Sequence, residues 1–202
     1  KSYLTIIDYF DPTFYLGMTA SPDRTDSFNI YELFNNNIVY EVRLKEAMEN
    51  NLLCPFHYFG ISDLIVDGET LDELSDFTRL TSDKRVNHII EKLNYYGYSG
   101  DRVKGLVFCS SKREAQILSD AFNSRGFRTT SLTGEDGQEK REKEIEKLIA
   151  SSGDILDYIF TVDIFNEGID IPEVNQVVML RPTQSAIIFI QQLGRGLRKN
   201  KD

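Results

Sequence analysis

The sequence predicts an α/β protein of three layers, in which a parallel β-sheet carries helices on both faces (α/β/α). Two observations support this fold class. Segments typical of strands and helices alternate regularly in residues 101–202. The strand-like segments there, such as VKGLVFCS and DYIFTVDI, are almost continuously apolar, which indicates strands buried on both faces of a parallel sheet. Ligands of such sheets bind at the carboxyl ends of the strands.

The first hundred residues have a less regular pattern. YLTIIDYF is compatible with a short helix or a strand, and FYLGMTA predicts a strand that ends in the loop SPDRTD. Farther along, IVYEVRL and CPFHYFGI predict two strands, while KEAMENN and LDELSDF predict two short helices. Residues 83–96 predict a longer helix with one apolar face, and Gly97 ends it.

The second hundred residues supply the strands of the sheet. After VKGLVFCS, the segment SKRE, from Ser111 to Glu114, is a capping-box pattern that begins a helix extending to Ser124. FRTTSLT predicts the next strand, and a helix rich in Glu and Lys follows over residues 137–151. DYIFTVDI and VNQVVML predict two more strands, and residues 183–193 predict a last helix.

Composition and length are those of an ordinary globular protein. The 202 residues are 41% hydrophobic and 27% charged, which excludes collagen-like, low-complexity and wholly disordered chains. No apolar run approaches the roughly 18 residues of a membrane span, and the first residues lack the apolar stretch of a signal peptide. The cysteines, Cys54 and Cys109, lie far apart and predict free thiols rather than a zinc site, as in a cytoplasmic protein.

The net charge of −9 is unevenly distributed. Residues 1–100 carry 8 basic and 16 acidic side chains (net −8), whereas residues 101–202 carry 15 and 16 (net −1). The stretch that begins at Arg181 has five basic residues against one acidic residue. Because salt limits the reach of a surface charge to about 10 Å, a local basic surface can bind an anion even on an acidic chain.

The segment QQLGRGLR contains two arginines that could bind a phosphate. Arg195 and Arg198 are three residues apart, so on a helix or a tight turn they point in the same direction. Two guanidinium groups from one turn suit a phosphate, and the glycines beside Arg195 leave the backbone accessible. The alternative is a solvated basic helix end.

Three further segments lie at or near predicted strand ends. In TVDIFNEGIDIP, Gly168 permits a left-handed turn and Asp170 could accept hydrogen bonds from ribose hydroxyls, although both also suit a plain turn. In CSSKREA, Ser110, Ser111 and the following helix N-terminus offer donors to an anion, with a simple capping box as the alternative. LGMTASPDR by itself predicts only a strand and a loop.

Together, and in this order, these segments resemble the later motifs of superfamily 2 helicases. TAS (residues 19–21) resembles motif III, LVFCSS resembles motif IV, and LTG (residues 132–134) resembles the next element that contacts nucleic acid. TVDIFNEGIDIP and QQLGRGLR resemble motifs V and VI, and as a pair they are highly specific. The sequence is most similar to DEAD/DEAH-type helicases that share their core with type III restriction subunits.

The resemblance implies a RecA-like (P-loop NTPase-type) domain and its boundaries. Residues 1–22 would be the last strand and motif III of a first RecA-like domain. Residues 23–202 would form the second, C-terminal RecA-like domain, with residues 23–100 as interdomain and N-terminal elements.

The resemblance also implies a role for each motif. Arg195 and Arg198 would be arginine fingers on the γ-phosphate of ATP held by the other RecA-like domain. Gln191, Gly168 and Asp170 would bind the nucleotide. The remaining residues would contact the phosphates of a nucleic-acid strand (Ser110, Ser111, Thr133, Gly134 and Thr161) or couple hydrolysis to movement (Thr19 and Ser21).

Two parts of a complete motor are missing from the sequence. A P-loop requires Gly-Lys followed by Ser or Thr, and none of the 13 glycines precedes a lysine. The acidic Mg²⁺ motif is also absent, since Asp72-Glu73-Leu74-Ser75 has the wrong fourth residue. We therefore expect a fragment, inactive alone, of a longer protein whose first RecA-like domain binds ATP and Mg²⁺ in cis.

The expected function is that of the C-terminal motor domain of an ATP-dependent nucleic-acid helicase or translocase. DNA is favoured over RNA as the partner, contacts would be mainly to phosphates, and no membrane partner is expected. The alternatives are the motor part of a restriction or repair nuclease, and a non-enzymatic nucleic-acid-binding scaffold domain. The pair Arg195 and Arg198 argues against the scaffold, because a domain without ATP hydrolysis has no chemical need for it.

Overall fold

The structure of the chain is a computed structural model, which falls into two compact units, Lys1–Glu41 and Val42–Asp202. The residues that it describes are 2–10, 12–19, 29–61, 65–66, 69–70, 81–162, 171–180 and 194. The predicted helices LDELSDF and 183–193 lie outside the described residues.

The first unit contains a helix where the sequence left two options open. Helix α1 spans Ser2–Phe10, so YLTIIDYF is helical, and a 3₁₀ helix spans Ile30–Phe34. Between them, residues 14–19 form no strand, and the strand prediction for FYLGMTA is wrong over this described part. The described part of this unit offers no other strand with which this segment could pair.

Residues 14–19 pack against the 3₁₀ helix instead of joining a sheet. The Tyr15 hydroxyl donates a hydrogen bond to the Leu33 carbonyl oxygen at 2.5 Å. Gly17 lies against the Phe34 ring so closely that an added Cβ atom would be 2.3 Å from the ring carbon Cζ. Glycine is therefore the residue that fits at this contact.

The second unit contains the sheet. In chain order, its helices and strands are α2 (Leu44–Glu49), β1 (Ile65–Val66), β2 (Glu69–Thr70), α3 (Asp83–Tyr96), β3 (Gly105–Phe108), α4 (Lys112–Asn123), β4 (Thr129–Leu132), α5 (Gln138–Ile149), β5 (Tyr158–Thr161) and β6 (Gln176–Met179). Strands β1 and β2 form an antiparallel pair that the sequence analysis does not anticipate. Each described helix is too short or too polar to cross a lipid bilayer.

Two strands predicted between residues 38 and 61 are absent. Residues 38–43 of IVYEVRL are irregular and mostly exposed, and helix α2 begins at the next residue. Residues 54–61, CPFHYFGI, are also irregular, and the Phe59 ring stacks on the Tyr96 ring with centroids 4.0 Å apart. Both predictions are wrong because an apolar pattern makes a strand only where a neighbouring strand bonds to its backbone.

The main sheet has four parallel strands in the order β4-β5-β3-β6. Phe108 of β3 and Leu132 of β4 both lie level with Thr161 of β5, so these three strands end together. Helices α3 and α4 pack on one face of the sheet, and α5 packs on the other. The predicted three-layer fold with a parallel sheet is confirmed.

Each face of the sheet has its own apolar core. On the face of α3 and α4, the buried side chains are Val86, Ile89, Leu93, Val103, Val107, Cys109, Ala115, Leu118, Phe122, Tyr158 and Phe160. On the face of α5, they are Leu106, Phe108, Leu132, Leu148, Leu156, Ile159, Ile171 and Val174. The residues of β3 and β5 alternate between the two cores, which explains why these strands are almost continuously apolar.

Polar contacts fix the amino end of the sheet. The Tyr158 side chain of β5 crosses β3 and donates its hydroxyl hydrogen to Gln176 Oε1 of β6 at 2.6 Å. The Gln176 amide in turn donates to the carbonyl oxygens of Leu93 and Gly97 at the end of α3. The crossing requires Gly105 in β3, since an added Cβ atom would lie 2.1 Å from the Tyr158 ring.

We predict that Gly105→Ala lowers the free energy of unfolding by about 1–3 kcal/mol, because the added methyl group overlaps the Tyr158 ring. Urea unfolding measures this change. Gly60→Ala is the matched control, since nothing lies within 4 Å of its added methyl group, and it should change stability by less than about 0.5 kcal/mol. Equal stability of the two variants would contradict the prediction.

Candidate nucleic-acid interface

The carboxyl ends of β3 and β4 carry four of the residues predicted to contact nucleic acid. Ser110 and Ser111 follow β3, and Thr133 and Gly134 follow β4. Lys112 at the start of α4 reaches Glu135 in the second loop, with Nζ and Oε1 2.5 Å apart. The two loops therefore meet, although β5 separates their strands in the sheet.

A buried ion pair shapes the loop after β3. Arg85 of α3 and Glu114 of α4 are only 2% and 1% exposed, and Arg85 donates to Glu114 Oε1 at 3.0 Å. The second oxygen, Oε2, accepts the backbone N–H of Ser110 at 2.8 Å. The carboxylate of Glu114 thus joins two helices to the strand end that carries the predicted phosphate contacts.

The capping box predicted at Ser111 is only half formed. Ser111 Oγ accepts the N–H of Glu114 at 3.1 Å, as expected of an N-cap. The Glu114 carboxylate does not complete the box at Ser111 but binds the N–H of Ser110, one residue earlier. Its other oxygen is held by Arg85, which draws the carboxylate into the interior.

The loop after β4 is held by Asp136. Its Oδ2 atom accepts the N–H of Thr133 at 2.7 Å and the Thr133 hydroxyl at 3.3 Å, and Lys140 donates to its Oδ1 atom at 2.6 Å. The hydrogen bond from Lys140, followed by the one from the Thr133 backbone, keeps the pKa of Asp136 below its ordinary value. The carboxylate therefore stays charged and fixes the loop.

Arg141 is a site residue that the sequence analysis missed. One of its guanidinium nitrogens donates to the carbonyl oxygens of Gly134 and Thr133, at 3.0 and 3.4 Å. Its Nε atom is buried and has no hydrogen-bond partner among the described residues. The signal in the sequence was a basic residue near the start of a helix, where the helix dipole does not favour it.

Thr161 does not form part of the exposed surface. Its side chain is 0% exposed, and its hydroxyl has no partner within the described ranges. Its carbonyl oxygen accepts the N–H of Cys109 at 2.9 Å. A direct contact between this hydroxyl and a phosphate, as predicted for Thr161, is therefore not available in this conformation.

Cys109 is buried behind the loop after β3. Burial, and secondly the negative charge of Glu114, raise the pKa of its thiol well above the ordinary value. The side chain therefore behaves as an apolar core residue. The part of the chain that the structure describes has no group of His, Cys, Asp or Glu residues that could hold a metal ion.

The nucleotide and coupling residues are mostly beyond what the structure describes. Thr19 lies in the first unit and is exposed. The predicted residues outside the described ranges are Ser21, Gly168, Asp170, Gln191, Arg195 and Arg198. Their roles stay predictions.

Residues 84–200 match the family described as "Helicase conserved C-terminal domain". The chain belongs to this family. The match includes the two loops after β3 and β4 as well as the segments TVDIFNEGIDIP and QQLGRGLR. The resemblance to superfamily 2 helicases is thereby confirmed.

Two curated relatives carry helicase names. The chain is 27% identical over 210 residues to the helicase-family protein IRC3 of Saccharomyces cerevisiae, covering 98% of this chain and 30% of that protein. It is 29% identical over 189 residues to the pre-mRNA-splicing ATP-dependent RNA helicase PRP28 of Yarrowia lipolytica, covering 90% and 32%. The chain therefore spans about a third of the length of these relatives.

A solved structure with a similar fold covers the whole chain. It is a fragment described as an HsdR subunit of a type I restriction enzyme from Vibrio vulnificus YJ016, with a TM-score of 0.73 and 22% identity. The match covers 100% of this chain and 39% of that one. At this level of identity the similarity concerns the fold alone.

The buried pair gives a first prediction for this site. Glu114→Gln should lower the free energy of unfolding by about 3–5 kcal/mol, because it removes the negative charge that faces the buried Arg85 guanidinium. Urea unfolding of the double variant Arg85→Met/Glu114→Gln should show a loss smaller than the sum of the two single losses.

The exposed pair Lys45–Glu49 is the control for this cycle. Its side chains are 88% and 65% exposed, so Lys45→Ala should cost less than about 1 kcal/mol. Additive losses for Arg85 and Glu114 would contradict the structural assignment of the pair.

A second prediction concerns Thr161. Thr161→Val should not lower the free energy of unfolding and should raise it by at most about 3 kcal/mol. The reason is that it removes a buried hydroxyl that lacks a hydrogen-bond partner among the described residues. Thr129→Val is the matched control: its buried hydroxyl is bonded to Ser119, and the variant should lose about 1 kcal/mol. If Thr161→Val lost as much stability as Thr129→Val, the hydroxyl of Thr161 would have a partner.

Proposed function

We propose that this chain is the C-terminal motor domain of an ATP-dependent helicase or translocase and that it holds one strand of nucleic acid. The observation that carries the proposal is the family match over residues 84–200, since it joins the two described loops to the segment with Arg195 and Arg198. In this proposal the loops bind the strand, and the arginines act on the nucleotide.

The nucleotide would lie between this domain and the first RecA-like domain of the parent protein. Arg195 and Arg198 would stabilise the charge that develops on the transferred γ-phosphoryl group, and Gln191, Gly168 and Asp170 would contact the rest of the nucleotide. The sequence contains neither a Gly-Lys-Ser/Thr loop nor the acidic Mg²⁺ motif, so the proposal assigns ATP and its Mg²⁺ to the other domain. For the same reason the chain alone would not hydrolyse ATP.

The strand would run across the loops after β3 and β4. Ser110, Ser111, Thr133 and Gly134 would contact its phosphates, with the nearby Arg141 supporting the second loop. Contacts of this kind carry little sequence information, so binding would be nearly independent of sequence. We propose DNA rather than RNA as the partner, on the similarity of the motifs to restriction subunits.

Thr161 and the exposed Thr19 would act without touching the nucleotide. The Thr161 carbonyl oxygen accepts the N–H of Cys109, the residue before Ser110. Thr161 would therefore hold the loop after β3 in place through its backbone. Thr19 and Ser21 would couple hydrolysis to movement. A parent protein with a nuclease domain would use the same motor residues, and its output would differ only in that domain.

The proposal is tested in the parent protein. Arg195→Ala should reduce nucleic-acid-stimulated ATP turnover by about 10³-fold, because the guanidinium acts on the transition state, and nucleotide-free strand binding should change little. Arg195→Lys should rescue little, since an ammonium group cannot reproduce the planar fork. Lys199→Ala, which removes a positive charge immediately after this segment, is the control and should retain turnover.

The same measurement can overturn the proposal. If Arg195→Ala kept near-normal turnover, the segment would be only a basic helix end. If DNA and RNA strands both failed to stimulate turnover of the wild-type parent, the assignment as a nucleic-acid motor would be wrong.

A further inference from the structure

Several donors in and beside the proposed strand-binding surface are bound to carboxylates of the same chain. Glu114 holds the N–H of Ser110, and Asp136 holds Thr133 and Lys140. The third carboxylate, Glu135, holds Lys112. A phosphate that approaches this surface therefore meets cations and N–H groups that already have an anionic partner.

The three carboxylates differ in how easily they can be displaced. Glu114 is 1% exposed and bonded on both oxygens, and Asp136, with a side chain 17% exposed, forms several bonds within its own loop. The side chain of Glu135 is 80% exposed and makes a single polar contact, to Lys112, among the described residues. An exposed pair of this kind is weak, so a competing anion can replace it at little cost.

We propose that Glu135 pairs with Lys112 in the free chain and that a phosphate of a binding nucleic-acid strand displaces it from Lys112. This inference rests on the proposed function, because it assumes that the two loops contact a strand. The inference adds Glu135 as a residue that sets the affinity for the strand. A carboxylate and a phosphate present the same kind of acceptor to an ammonium group, so one can replace the other without a change in the fold.

The exchange has a consequence for a translocating motor. The strand gains the contact with Lys112 only by displacing Glu135, so the net gain in affinity is smaller than for a free lysine. The lysine is also returned to a partner whenever the strand leaves. Glu135 would thus keep the affinity for the strand low enough for the strand to be released in each step.

The test uses the 202-residue chain and fluorescein-labelled single strands, a DNA of roughly 12 thymidines and an RNA of roughly 12 uridines. At low ionic strength, where surface pairs are least screened, Glu135→Gln should bind the strand about two- to five-fold more tightly than wild type. The slope of log Kd against log salt should also become steeper, by up to about 0.7 for one additional phosphate contact on a single strand.

The control is Glu139→Gln, which makes the same change of net charge. Glu139 is exposed, lies at the start of α5 and forms no ion pair among the described residues. It should change the affinity much less than Glu135→Gln. A double-mutant cycle separates the pair from general charge effects, because the gain from Glu135→Gln should vanish in a Lys112→Ala background.

A second measurement reports on the pair directly. Acetylation of surface lysines, followed by mass spectrometry, should modify Lys112 faster in Glu135→Gln than in wild type, while Lys84 keeps its rate. An excess of the thymidine strand should slow modification of Lys112 in both proteins.

The outcomes distinguish the two claims. If the strand binds but Glu135→Gln and Glu139→Gln have equal affinity, or the gain survives Lys112→Ala, the exchange is refuted and the proposed function stands. If no variant binds a DNA or RNA strand, the strand-binding surface itself is refuted, and the exchange with it.

Discussion

The ion pair between Arg85 and Glu114 is the interaction on which the candidate site depends. It joins α3 to α4 on one face of the sheet, and the second oxygen of Glu114 accepts the N–H of Ser110 at the end of β3. Buried ion pairs add little stability relative to apolar residues of the same size, since both charges lose their hydration. The benefit of this pair is therefore positional: it sets the path of a loop that apolar contacts alone would not define.

A similar use of carboxylates would let an acidic chain offer the proposed strand-binding surface. With a net charge of −9, long-range attraction to a polyanion is not available. The acidic residues nearest the loops are instead bound to cations and N–H groups, so locally their charges are neutralised. A strand would then be held by short-range contacts that depend on geometry and salt rather than by the overall field.

Much of the fold could be predicted from the sequence, because strands β3 and β5 serve two cores at once and are apolar at almost every position. The same signal failed for IVYEVRL and CPFHYFGI, where the apolar residues have no neighbouring strand and one of them, Phe59, stacks on Tyr96. The site was predicted in part. Local spacing placed Ser110, Ser111, Thr133 and Gly134 at strand ends, but it could not reveal contacts across the fold. Glu114 was visible as a capping residue, whereas its partner Arg85 is 29 residues away.

The two ends of the sheet differ in how firmly their side-chain contacts are held. At the amino end, the crossing of Tyr158 over Gly105 to Gln176 is partly buried and tied to the end of α3. Arg102 donates to the carbonyl oxygens of Leu148 and of Ala150, the residue that follows α5, at the same end, and Asp157 binds Arg128 through both carboxylate oxygens. At the carboxyl end, the contact that joins the two loops is the exposed pair Lys112–Glu135. Because the amino end fixes the strands, the proposed exchange of partners at the other end would not loosen the sheet, as a surface that repeatedly bound and released a strand would require.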